Sequence, residues 1–76
     1  MKKLSTVKRG ERGKIALIQG DTRFLSRITS IGLTVGSVVE VMQNQKKHPV
    51  LIYSRDTMIA INAGECEKIM LEVIAE

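Results

Sequence analysis

Few side chains in this 76-residue chain could bind a metal or attack an electrophile. It holds one histidine, His48, one cysteine, Cys66, three methionines beyond the first residue, Met42, Met58 and Met70, and scattered carboxylates. His48 ends the basic stretch Gln45-Lys46-Lys47-His48, where neighbouring ammonium groups repel a cation. Cys66 is expected to fill an apolar niche, which disfavours the thiolate a metal needs. No two of these ligand types recur at metal-site spacing. Catalysis has still less to work with: there is no phosphate-cradling glycine motif and no carboxylate pair with an evident pocket. Gly10, Gly13 and Gly20 flank an apolar run and read as turns. The expectation is no enzyme, no resident metal and no cofactor.

Charge is the next candidate chemistry. The net charge is +4, but residues 1–38 carry eight Lys and Arg against Glu11 and Asp21, and residues 39–76 carry four against six acids. Lys2, Lys3, Lys8, Arg9, Arg12 and Lys14 could form a basic stripe for nucleic acid. Single-strand binding also calls for aromatic platforms, and Phe24 and Tyr53 are the only aromatics. A solvated basic segment is the competing explanation, so nucleic acid is the alternative partner and not the expected one. A lone cysteine excludes an internal disulfide and fits a reducing compartment. Apolar runs such as Ile15-Ala16-Leu17-Ile18 reach only four residues, too short to cross a membrane. A soluble cytoplasmic protein is expected, one that could work on a membrane from the inside.

Positioning these residues requires elements, and period-two patterns dominate. Strands are expected at Lys14–Gln19, Ser37–Gln43, Pro49–Ser54, Thr57–Asn62 and Lys68–Ile74, with Arg55-Asp56 as a tight turn. Five short strands in one small domain over residues 1–76 suggest a closed barrel, because an open sheet leaves exposed edges. Between the first two strands, Phe24, Leu25, Ile28 and Ile31 fall at helical spacing and are expected to point inward. Asp21 caps that helix and Gly32 ends it, with Leu33 packing back on Ile28. Gly36 punctuates the entry to the next strand. A short helical turn capped by Asn62 is expected at Ala63–Glu67, before the last strand.

The stretch Ile28-x-x-Ile31-Gly32-Leu33-x-x-Gly36 resembles the FeoA family, whose pattern there is Leu-x-x-Met-Gly-Leu-x-Pro-Gly. Leu4, Gly10, Ile15 and Gly20, then Pro49-Val50, Ile59-Ala60-Ile61 and Ile69-x-Leu71, fit the family in order over nearly the whole chain. Ile31 stands where methionine is usual, Val35 where proline is, and Cys66 where alanine is. The resemblance implies a mainly β, SH3-like five-stranded barrel with a helix between the first two strands. It also implies a non-enzymatic accessory role in bacterial ferrous iron transport, by binding the cytoplasmic part of the permease FeoB. A transition-metal-binding protein is a third reading.

Two surfaces could carry such binding. If Val39, Val41, Ile52, Ile59, Ile61, Ile69, Leu71 and Val73 face inward, the opposite parity holds Val38, Met42, Leu51, Tyr53, Met58, Met70 and Ile74. Methionine adapts well to a partner surface, although the helix and chain ends could equally cover this side. Leu51, Tyr53 and Met58 are the partner-binding candidates, and the same face could self-associate weakly. Arg23 and Arg27, four apart on the helix, could meet an acidic partner patch or simply be solvated.

Overall fold

The computed structural model describes residues 1–74. Six strands form one antiparallel sheet: β1 (Lys2–Lys3), β2 (Arg12–Ile18), β3 (Val38–Gln43), β4 (Val50–Ser54), β5 (Thr57–Ile61) and β6 (Ile69–Val73), in the order β1-β6-β2-β3-β4-β5. Helix α1 (Thr22–Ser30) joins β2 to β3, and the short α2 (Ala63–Cys66) joins β5 to β6. The five expected strands are all present, and the fold is mainly β, as the periodicity implies. The sixth strand, β1, is added at the basic N-terminus, where Lys2 and Lys3 pair with Leu71 and Met70. A two-residue strand of lysines has no hydrophobic alternation, so no periodicity marks it.

The ladder does not close. β1 and β5 are edges that are not hydrogen-bonded to each other. A single 3-10 turn, Leu4–Thr6, lies against α2 and β6, and the Asn44 amide donates to the carbonyls of Ser5 and Val7 at 3.0 and 2.7 Å. Leu4, Val7 and Cys66 from these connections join Ile15, Val39, Val41, Ile52, Ile69 and Leu71 in one aliphatic core. Side chains thus complete what a strand pair would have closed in the expected barrel.

Helix α1 is built as its residues dictate at both ends. Asp21 accepts a hydrogen bond from the Phe24 N–H at 2.8 Å. At the other end Gly32, at φ +99°, donates to Thr29, and Leu33 donates back to Ile28 at 3.2 Å. This pair of reversed bonds satisfies the last carbonyls and drops Leu33 fully into the core. Gly36, at φ +98°, then donates to the Ile15 carbonyl at 2.8 Å, tying the turn to β2.

Three inward expectations are overturned. Phe24 and Ile28 are buried, but Leu25 and Ile31 are 38% and 40% exposed. The contacting stripe is one i, i+4 pair wide, and Ile31 is already the cap where the chain leaves helical geometry. Val73 is 38% exposed, because it faces Gly13 at the outermost rung of the β2–β6 ladder, past the core. Gly13 is also not a turn: it lies inside β2, and a Cβ there would stand 3.2 Å from the Leu71 side chain. The ladder shifts register between Ile15 and Leu17, which turns Leu17 outward. At α2 the Asn62 carbonyl, not its side chain, accepts from Glu65 and Cys66, each at 3.0 Å.

Candidate functional site

The β4–β5 hairpin brings three of the expected partner-binding residues together. Arg55 and Asp56, at φ 52° and 62°, form a two-residue turn with both centres left-handed, the conformation that matches strand twist. Its register sets Tyr53 opposite Met58 and Leu51 opposite Ala60, all four on the face away from the core. Met58 is 53% exposed, Tyr53 and Ala60 are exposed, and Leu51 is half-buried. Val38 and Met42 on β3 extend the apolar surface, with Glu40 opposite Tyr53. Among the described residues, neither α1 nor the N-terminal segment buries Tyr53, Met58 or Ala60. Alternation alone identifies every member of the patch except Ala60, which shares the parity of Met58 but is too small to stand out as a contact residue.

A charged cleft of about 430 Å³ borders the patch at Tyr53, walled by Arg12, Glu40, Arg55 and Asp56. The Tyr53 hydroxyl donates to Asp56 Oδ1 at 2.9 Å, which raises the phenol's pKa, since the hydrogen bond and the nearby charge both favour the protonated form. Tyr53 is therefore a fixed, amphipathic anchor at the polar rim of an apolar surface.

The two arginines on α1 line a different cleft, of about 290 Å³, with Asp21, Phe24, Glu65 and Lys68. Arg27 is ion-paired with Glu65 of α2, and its guanidinium lies 5.7 Å from the Phe24 ring centroid. Lys68 Nζ stands 4.8 Å from the same centroid. Arg27 thus already has partners within the fold, whereas Arg23 makes no ion pair among the described residues. The two candidate clefts share no residue.

The basic N-terminus is partly neutralised in the fold. Lys2 pairs with Glu11 at 3.7 Å and Lys3 with Glu67 at 3.2 Å. The Ser5 hydroxyl also donates to Glu67. The Ser5 bond first, then Lys3, holds the Glu67 carboxyl below its ordinary pKa; the Lys8 N–H does the same for Glu11. Among the described residues no three His, Cys, Asp or Glu side chains gather where they could hold a metal ion. Cys66 is fully buried and burial, aided by the Glu67 charge, pushes its thiol up to about 11. No helix among the described residues is long and apolar enough to cross a membrane.

Comparison with known proteins places this geometry among its relatives. The pattern of a family described as FeoA domain matches residues 2–73. A Methanocaldococcus jannaschii protein provisionally named Fe(2+) transport protein A is 35% identical over 69 residues, covering 91% of this chain and 83% of that one. The crystal structure of an iron uptake regulatory protein (FeoA) superposes with a TM-score of 0.90 at 25% identity, over 95% of this chain and 96% of the other. The solution structure of FeoA from Chlorobium tepidum gives 0.86 at 22% identity, over 96% and 70%. A manganese-dependent transcriptional repressor contains the same fold in 41% of its chain, with a TM-score of 0.89 at 17% identity over 96% of this one.

Proposed function

This chain belongs to the FeoA family, and from that premise we propose that it serves ferrous iron uptake by binding a partner protein, the cytoplasmic part of a FeoB-type permease. It works in the cytoplasm as one domain over residues 1–76, without catalysis and without a resident cofactor. The observation that carries this reading is the apolar patch of Leu51, Tyr53 and Met58 on the outer face of β4 and β5. Tyr53 and Met58 share a rung and Leu51 lies two rungs away on the same face; all three remain outside the core and are rimmed by the charged residues of the Tyr53 cleft. An exposed apolar surface with a polar rim is the usual form of a protein-binding site. The relatives' names associate the fold with Fe(2+) transport. A surface that binds and biases the state of a transporter needs no reactive group of its own.

The test is an NMR titration of labelled protein with the permease's cytoplasmic domain, with and without guanine nucleotide. Shifts are expected at Leu51, Tyr53, Met58 and their neighbours. Met58→Glu, at an exposed position, keeps the native spectrum and reduces affinity by about tenfold or more, the scale of losing a central apolar contact. Absence of shifts in every nucleotide state, or full affinity in the Met58→Glu protein, overturns the reading.

A further inference from the structure

The two edges of the sheet are built differently. β1 is two residues long and both are lysines, a short charged edge of the kind that resists pairing. β5 runs five residues, Thr57-Met58-Ile59-Ala60-Ile61, without a charge or a proline. Its hydrogen-bond phase is set by the turn that precedes it. In a ladder closed by a two-residue turn, the flanking pair Ser54–Thr57 exchanges both backbone bonds. Alternation then gives the same role to Ile52–Ile59 and Val50–Ile61. Met58 and Ala60 therefore turn their N–H and C=O groups away from β4. No backbone or side-chain group among the described residues bonds to them there, and both residues are exposed.

We propose that β5 pairs with β5 of a second copy of this chain, antiparallel about a two-fold axis at Ile59. In that register Met58 stands opposite Ala60 of the second copy, and Ala60 opposite its Met58. Each pair exchanges two N–H to C=O bonds, so all four unpaired groups of each strand are used. Asn62 ends the pairing, since its carbonyl is already taken by the Glu65 and Cys66 N–H groups. The edge is thus complementary to itself, as a two-fold interface requires. An uncharged strand brings no like charges together across the axis. The same pairing joins the two outer faces, setting Met58 and Ala60 of one copy beside those of the other and extending each Leu51–Tyr53 surface across the junction. The self-pairing rests on the edge alone and does not depend on the role in iron uptake.

The test combines sedimentation equilibrium with amide exchange on the full chain from micromolar to millimolar concentration. A monomer–dimer equilibrium is expected, with protection at the Met58 and Ala60 amides rising as dimer forms while the β1 edge stays unchanged. Ala60→Pro removes one donor from each copy, two of the four bonds, and raises the dimer dissociation constant by about tenfold. Ala60→Lys, which keeps the backbone donor but adds a charge at the junction, serves in its place if the proline variant loses its native spectrum. A chain that stays monomeric at millimolar concentration overturns the proposal. So does a dimer whose Met58 and Ala60 amides stay unprotected, or one that a folded Ala60 variant leaves unchanged.

Discussion

Cys66 has no exposed surface, and its Sγ lies 3.7 Å from the Ile61 carbonyl oxygen. In the sequence it is marked as a packing residue by the FeoA-family pattern, which has alanine at this place, three residues before Ile69. The thiolate would have to be desolvated there, so the folded protein holds the proton to about pH 11, against about 9 for an ordinary thiol. A raised pKa of this kind contributes stability that is complete below pH 9 and is lost as pH climbs toward 11. Two units correspond to at most about 3 kcal/mol. Urea denaturation between pH 8 and 11 is expected to show that loss, and Cys66→Ala is expected to flatten it. At pH 8 the native thiol is expected to resist alkylation, while the unfolded chain reacts.

At the scale of an element, the junction of β2 and α1 shows how one glycine supports a whole helix. Gly20 sits at φ +150°, and a Cβ there would come 2.5 Å from Phe24 Cδ2. Phe24 cannot simply yield, because it is buried beneath the Arg27 and Lys68 cations and is half of the i, i+4 pair that docks the helix. Gly20→Ala is therefore expected to cost roughly 1–3 kcal/mol, combining overpacking with backbone strain. The denaturant midpoint should fall and the Phe24 ring resonances should move. A variant with unchanged midpoint would show that the ring has room to shift. The caps of α1 are readable from Asp21, Gly32 and Leu33 because capping is local chemistry, decided within four residues. The width of its buried stripe is not readable, because the sheet beneath it decides whether Leu25 and Ile31 are covered.

For the molecule as a whole, the question is which surfaces remain free once the fold has used what it needs. Arg23 and Arg27 have the same residue type and the same helical face, yet the fold treats them differently. Arg27 is spent on Glu65 and Phe24, joining α1 to α2, while Arg23 has no ion pair among the described residues. If α1 meets an acidic partner patch, Arg23→Glu should leave the thermal midpoint near that of the wild type and weaken association, with a shallower salt dependence. Arg27→Glu should lower the midpoint as well, since it sets two acids against each other. Calorimetric titration at two salt concentrations distinguishes them, and wild-type binding by the Arg23 variant would remove α1 from the docking surface.

What neighbouring residues decide is legible in the sequence: the face of strand residues away from the register shifts, the caps of α1, the two-residue turn at Arg55-Asp56, and a family motif specific enough to imply the fold. These follow from period-two geometry and from backbone bonds spanning a few positions. Leu51, Tyr53 and Met58 were legible as one face for the same reason. It took the folded chain to show that Tyr53 and Met58 stay exposed among the described residues, that Lys2 and Lys3 form a sixth strand, that Arg27 and Glu65 pair across 38 positions, and that the ladder stays open at β5. Each depends on contacts between residues distant in the chain. Alternation assigns a side chain to a side of the sheet, but what packs against that side, and where the hydrogen bonding stops, depends on how the entire chain closes around its core.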